Sequence, residues 1–352
     1  MDYTLLLIVV LLVVIGLVIL YSTSAYNGQV KFHDSFYYLK KQAFATVLGI
    51  VLMLFVAGMD YHIWQRLAVF GYLAAVALSV AVMLFGREIN GSKRWLALGP
   101  FSFQPSEFAK VALILFLADL VTKNVKTIGK MWTLCRIMFW ILPIVGLVGA
   151  SNLSTAIIIL GIGVILIFVA SPKYAQFALM GLAGACFMGI FLALESYRLE
   201  RIAIWRNPEK YEKGYQTLQG LYAIGSGGVF GVGLGNSVQK LGFVPEAQND
   251  MIFSIICEEL GLAGAGIIVF LFLLLIWRFF MIASGSRDLF GALIATGAMA
   301  HMMIQVVLNI AVVTNTIPNT GITLPFISYG GTSVMFLLIE MGLVLSVSQV
   351  VD

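Results

Sequence analysis

Ten apolar stretches recur along this chain, near 4–21, 41–58, 67–85, 107–121, 134–150, 152–170, 175–194, 254–279, 289–313 and 331–349. Nothing else restricts its fold so strongly. A bilayer crossing takes about 20 largely apolar residues. Backbone polar groups facing lipid must be paired within their own segment, which makes each crossing a helix. Composition closes the water-facing alternative. Of the 352 residues, 61% are hydrophobic and only 11% charged, with a mean hydropathy of +0.99, whereas soluble domains carry roughly 25% charged residues. The expected fold class is all-α: a polytopic membrane protein of about ten transmembrane helices, forming a single integral membrane domain over 1–352.

The first stretch starts directly after Asp2 without a small-residue cleavage site and soluble domain behind it, so it is expected to remain as an anchor. The fifth and sixth are separated only by Gly149-Ala150-Ser151-Asn152 and should form a tight hairpin. A net charge of +4 without a dense basic run excludes a nucleic-acid binder. Cys135, Cys186 and Cys257 show neither metal spacing nor a disulfide framework. His33, His62 and His301 make no metal pattern; His301, inside a span, reads as packing or a helix–helix hydrogen bond.

Lys and Arg in the loops set orientation. With a cytoplasmic N-terminus, the loops outside 195–250 place eight basic residues inside and six outside. By alternation, three polar intervals then share the outer side: 86–106, 195–250 and 314–330. Interval 195–250 is the expected large extracytoplasmic loop between the seventh and eighth spans. Its RLERIAIW run reads as an interfacial amphipathic helix anchored by Trp205, and its glycines at 225, 227, 228, 231, 233 and 235 allow close backbone approach.

Three clusters could carry chemistry. In GREINGSKRWLALGPFSFQPSEFAK, Arg87, Lys93 and Arg94 beside Trp95 suit a diphosphate with a sugar stacked on the indole, or simply a solvated interface loop. Gln104-Pro105-Ser106-Glu107 reads as a helix start, with Glu107 and Lys110 on one face. In the second cluster Asp250 ends the polar loop where an apolar run of nearly thirty residues begins, four residues after Glu246. A carboxyl raised by burial near a second acid is general-base equipment; a helix N-cap is the bland competitor. The third cluster, NTGITLPFISYGGTS, offers Ser328, Tyr329 and Ser333 hydroxyls, or a re-entrant turn buried against its neighbours. Glu340, mid-span, reads as paired inside the bundle. Ser106 to Lys110 is one residue too long for the S-x-x-K of transpeptidases, and no βαβ unit surrounds the glycines.

GREINGSKRWL, FQPSEFAK, GYQTLQ, GVGLGNSVQKLGFVPEAQNDMIFSIICEELG and NTGITLPFISYGGTS resemble, in order and over essentially the whole chain, the shape, elongation, division and sporulation (SEDS) family of bacterial cell-wall proteins, which includes RodA and FtsW. The wording of GLGNSVQK and TGITLPFISYGG looks more like the FtsW and sporulation branch. The resemblance implies ten helices and a peptidoglycan glycosyltransferase of the plasma membrane. It would polymerise lipid II into a nascent glycan strand on the extracytoplasmic side, beside a class B penicillin-binding protein as transpeptidase partner. Asp250 matches the family's essential acid. Arg94 and Trp95 match its first outer-loop motif, Glu107 and Lys110 its P-S-E-x-x-K pair, and Ser328 and Tyr329 its L-P-x-I-S-Y-G-G motif. Many members have His-Thr-Asp where this chain has Gln248-Asn249-Asp250, so residue 248 receives no role. On this reading Lys93, Arg94 and Lys240 hold the diphosphate, with a divalent cation, magnesium or manganese, left open and no metal ligand assigned; Glu246 flanks the base. Two other classes stay open: a lipid II flippase, and a non-catalytic scaffold for a transpeptidase.

Overall fold

The computed structural model describes residues 1–89, 92–98, 101–178, 181 and 203–350. Helices α1 (Tyr3–Phe32), α2 (Tyr37–Ala57) and α3 (His62–Phe85) come first. A small antiparallel sheet follows, β1 (Arg87–Ile89), β2 (Ser92–Leu98) and β3 (Phe101–Phe103). Next are α4 (Pro105–Asn124), α5 (Met131–Ser151) and α6 (Leu153–Ala170). Two single-turn 3-10 helices, Pro208–Lys210 and Glu212–Gly214, lead into α7 (Tyr215–Ser226). The chain closes with α8 (Ile252–Gly285), α9 (Leu289–Val313) and α10 (Gly331–Ser348).

Eight described helices are long and apolar enough to cross a membrane, and they coincide with eight of the ten expected stretches. A ninth stretch, 107–121, lies on α4, whose apolar pattern is broken by buried Glu107, Lys110 and Asp119. The remaining one, 175–194, falls almost wholly outside the described residues. The fold is that of an all-helical polytopic membrane protein. The hairpin between α5 and α6 is as tight as expected: Asn152 ends one helix and caps the next through Thr155 N–H at 3.2 Å.

Interval 86–106 departs from plain loop. Arg87 pairs with Trp95 across β1 and β2, and Leu96 with Phe103 across β2 and β3. A segment lying against a membrane surface gains by pairing its own backbone, and a hairpin does this in few residues. Beyond it α4 starts as the sequence indicates, with Pro105 in the first turn behind Gln104.

The 319–330 segment is non-helical and packed against the bundle. A Cβ on Gly16 of α1 would lie 2.5 Å from the Phe326 carbonyl oxygen, so glycine is required for this close approach. Ser328 closes the turn, its Oγ accepting from Leu324 N–H at 2.8 Å. Gln42 of α2 brackets it, donating to Ser328 O at 3.3 Å and accepting from Gly330 N–H at 3.1 Å.

Candidate active site

The turn 245–250 is tied internally before it presents its acid. Glu246 sits in the left-handed region at φ 50. From there its carboxylate accepts from Gln248 Nε2 at 3.1 Å and Asn249 Nδ2 at 2.8 Å, and pairs with Lys31 of α1 at 3.1 Å. Buried Gln248 accepts from Asn27 Nδ2 at 3.1 Å, and its carbonyl accepts from Tyr329 N–H at 2.9 Å. The two residues beside Asp250 that depart from the family wording therefore bond to Glu246, and Gln248 also fastens the turn to α1 and to the third polar cluster.

Asp250 is half-buried just ahead of α8, whose N-cap is Met251 with no side-chain cap bond. Its main-chain carbonyl accepts from Asn309 Nδ2 at 2.9 Å, and the same amide donates to Ile322 O at 2.7 Å. Gln216 of α7 donates from Nε2 to Asp250 Oδ1 and to Pro245 O, both at 3.4 Å, while its Oε1 accepts from Asn319 Nδ2 at 3.4 Å. Burial pushes the Asp250 carboxyl up to about 6. The charge of Glu246 adds to the rise, and the backbone amides of Asp250 and Met251 with the Gln216 amide oppose it. Such a group is ionised at neutral pH yet basic enough to take a proton in a transition state.

Tyr329 stacks edge-on to Tyr38 at 4.9 Å, and burial raises its phenol to about 12, so it stays protonated. Ser328 spends its hydroxyl within the turn. Beneath them lies a buried polar network. Glu107 pairs with Lys110 at 3.0 Å and accepts from Ser333 Oγ at 2.8 Å. Lys110 donates to Gln305 Oε1 at 3.3 Å, and Gln305 Nε2 donates to Thr323 O at 3.1 Å. That orientation makes His301 Nε2, 2.8 Å from Gln305 Oε1, a proton donor. His301 Nδ1 stands 2.8 Å from Glu340 Oε2. His301, Gln305 and Asn309 recur every four residues, one face of α9. Gln305 and Asn309 hold the Thr323 and Ile322 carbonyls, and Asn309 also the Asp250 carbonyl, from below, while His301 meets Gln305.

The cationic cluster reaches the same face. Arg94 on β2 donates from Nε to Ser151 O at the end of α5 at 3.0 Å, where a cation also meets the negative end of the helix. Three residues on, Ser154 donates to Thr320 O at 2.6 Å, beside the Asn319 that meets Gln216. Trp95 is half-buried; Lys93 lies on β2 opposite Glu88, its side chain outside the described atoms. Lys240 is not brought to this group. Its ammonium is buried, 2.6 Å from Glu259 Oε1 and 3.1 Å from Ser22 Oγ. Trp205 docks inward, its indole N–H donating to Asn315 O at 2.9 Å. Among the described residues no group of three or more His, Cys, Asp or Glu is placed to hold a metal.

The FtsW/RodA/SpoVE cell cycle protein family model matches residues 3–352. The chain belongs to this family. Stage V sporulation protein E of Bacillus subtilis is 40% identical over 361 residues, covering 99% of this chain and 97% of that one. A probable peptidoglycan glycosyltransferase FtsW from Trichlorobacter lovleyi is 36% identical, covering 99% and 93%. Among solved structures, a chain of a peptidoglycan synthase complex superposes with a TM-score of 0.85 at 30% identity, covering 99% and 97%. Rod shape determining protein RodA of Thermus thermophilus gives 0.73 at 29%, covering 99% and 96%. As a member of the FtsW/RodA/SpoVE family this is a multi-pass protein of the bacterial cytoplasmic membrane. Sequence reasoning about the family motifs reached Asp250 but missed Gln216, Asn309 and Asn319. Gln216 stood inside the quoted GYQTLQ motif, and the four-residue spacing of His301, Gln305 and Asn309 within one span was the available signal.

Proposed function

We propose that this chain is the polymerase its family membership indicates: a peptidoglycan glycosyltransferase joining lipid II disaccharides by β-1,4 links, with Asp250 as the general base. The observation that supports it most directly is a half-buried carboxyl, raised to about 6, where two polar intervals meet on one face of the helical bundle, with the third tied to that face through the α5–α6 hairpin. Asp250 takes the proton of the acceptor sugar's 4-hydroxyl as that oxygen bonds to the donor's anomeric carbon. The bond from that carbon to the diphosphate breaks, the electron pair leaves with the polyprenyl diphosphate, and the anomeric carbon is inverted. Asp250 then returns its proton to water. A diphosphate leaves readily once its charge is met, which is the part given to Arg94 and Lys93. Trp95 offers a sugar platform, and Glu107 and Lys110 support the wall through Ser333 and Gln305. Lys240 drops out of the diphosphate set because Glu259 already meets its charge. The surface carrying Asp250 is the extracytoplasmic one in this reading, and 195–250 its large loop. The partner is a transpeptidase of the class B penicillin-binding type, in keeping with the likeness to a chain of a peptidoglycan synthase complex.

Polymer formation from labelled lipid II by the purified complex tests the assignment. Asp250→Asn, folded and still bound to its partner, is expected to lose at least about 100-fold in rate, the scale of a lost general base. Glycan strands formed by that variant at the parental rate would refute it.

A further inference from the structure

Asp250 is held by two different kinds of contact. Its backbone is fixed from below by Asn309, whose amide spans Asp250 O and Ile322 O at 2.9 and 2.7 Å. Its carboxylate, in contrast, meets Gln216, which approaches from α7 on the other side of the site. Gln216 is itself half-buried and steered at both ends: Asn319 fixes its oxygen, and Pro245 O takes part of its NH2. With the oxygen engaged by a donor, the NH2 is obliged to face Asp250 Oδ1. Oδ2 lies on the side of Gly321, where even an added Cβ would stand 3.9 Å away. One carboxylate oxygen thus meets Gln216, and beside the other stands Gly321, which carries no side chain.

We infer that Gln216, oriented by Asn319, is a positioning residue for Asp250 that holds Oδ1 and favours the ionised carboxylate, leaving Oδ2 on the side of Gly321. This rests on the reading of Asp250 as the base. A donor to a carboxylate stabilises its charged form, so Gln216 opposes the burial that drives the carboxyl upward, and the effect should be legible in the acid limb of the rate profile.

The test is the pH dependence of glycan polymerisation by the full chain with its transpeptidase partner. The parental limb is expected near pH 6. For Gln216→Ala the limb should move to higher pH, so that activity at pH 6, relative to each protein's own plateau near pH 8, falls about two- to five-fold. Gln216→Glu should move it further in the same direction. Asn319→Ala, which leaves Gln216 in place but unsteered, should give a smaller displacement of the same sign and guards against a misfolded Gln216 variant. A purely structural role would lower the plateau and leave the limb where it was; that result in Gln216→Ala and Asn319→Ala overturns the inference. Asp250→Asn, measured alongside, separates the two claims. If it polymerises, the base assignment fails; if it is inert while the limb of Gln216→Ala stays put, only the role of Gln216 fails.

Discussion

At the scale of single residues, Asp250, the base proposed above, shows what a buried carboxyl costs the fold. Its carboxyl is about 3.8 when the chain is unfolded and about 6 in the folded protein, so between those values the folded state binds more protons. The stability it contributes is present below pH 3.8 and is lost as pH rises through about 6. Ionised Asp250 at neutral pH is therefore a cost. Asp250→Asn is expected to be more stable than the parent by about 1–2 kcal/mol at pH 8, the full linkage value being reduced for its partial exposure. At pH 4 the two should unfold alike. Thermal unfolding at both pH values reads this directly, and a variant less stable at pH 8 would contradict it. The sequence marked Asp250 by its place at the end of a polar interval, but could not tell base from helix cap. The fold removes the cap, since Met251 holds that position, and brings Gln216 to the carboxylate from 34 residues away. Lys240 illustrates the converse. A lysine in a glycine-rich loop reads as a phosphate ligand until the fold shows Glu259 and Ser22 enclosing it.

Among the elements, α8 was legible as one long apolar run, and its interruption was not. Gly261 adopts φ 66 in mid-helix, about 13 Å below Ile252 at 1.5 Å per residue. The break frees backbone groups at membrane depth, where each needs a partner. Loop 228–233 supplies them: Val232 and Gly233 donate to Glu258 O and Glu259 O at 3.0 and 2.9 Å, and Leu262 and Ala263 donate to Gly228 O and Val229 O at 3.0 and 2.9 Å. The carboxylate of Glu258 then holds the next turn through Ser237 Oγ and Val238 N–H. The glycines of this loop, visible in sequence as freedom, serve in the fold as a close backbone-to-backbone seam. A Cβ at residue 261 would lie 2.5 Å from Val229 O and 2.6 Å from Phe230 N, in a conformation that L side chains resist. Gly261→Ala is accordingly expected to cost more than about 2 kcal/mol and to loosen loop 228–240. A lowered unfolding temperature with faster amide exchange at Val232 and Gly233 is the predicted observation. Retention of both at parental values would mean that the seam is not what holds the loop.

For the whole molecule, contacts sort the loops into two opposite faces. Asp2 pairs with Arg278 and bonds Ser348, Tyr61 bonds Asp288 at 2.7 Å, and Gln349 bonds Ala57 O at 2.6 Å. The other face gathers Arg94 with Ser151, Ser154 with Thr320, Trp205 with Asn315, and Gln216 with Asp250 and Asn319. The alternation of apolar stretches anticipated this sorting, because an odd or even number of crossings fixes which loops can meet. The sheet in 86–106 was not anticipated, since its strands are too short to show a period of two. Between the faces, Glu107 with Lys110 and His301 with Glu340 are matched in pairs inside the bundle. Polar groups already matched to one another suit a fixed scaffold better than a path for a polar headgroup, and so favour chemistry at one surface over transport between two. The basic residues carry the orientation proposed above: apart from 195–250, eight lie on the Asp2 side and six on the Asp250 side, and the richer side is expected in the cytoplasm. In a chain whose cysteines are replaced by alanine, a cysteine at exposed Lys210 should therefore react with a membrane-impermeant maleimide on intact cells. One at exposed Lys126 should react only after permeabilisation. The opposite pattern would put Asp250 in the cytoplasm, where no extracytoplasmic glycan strand could reach it.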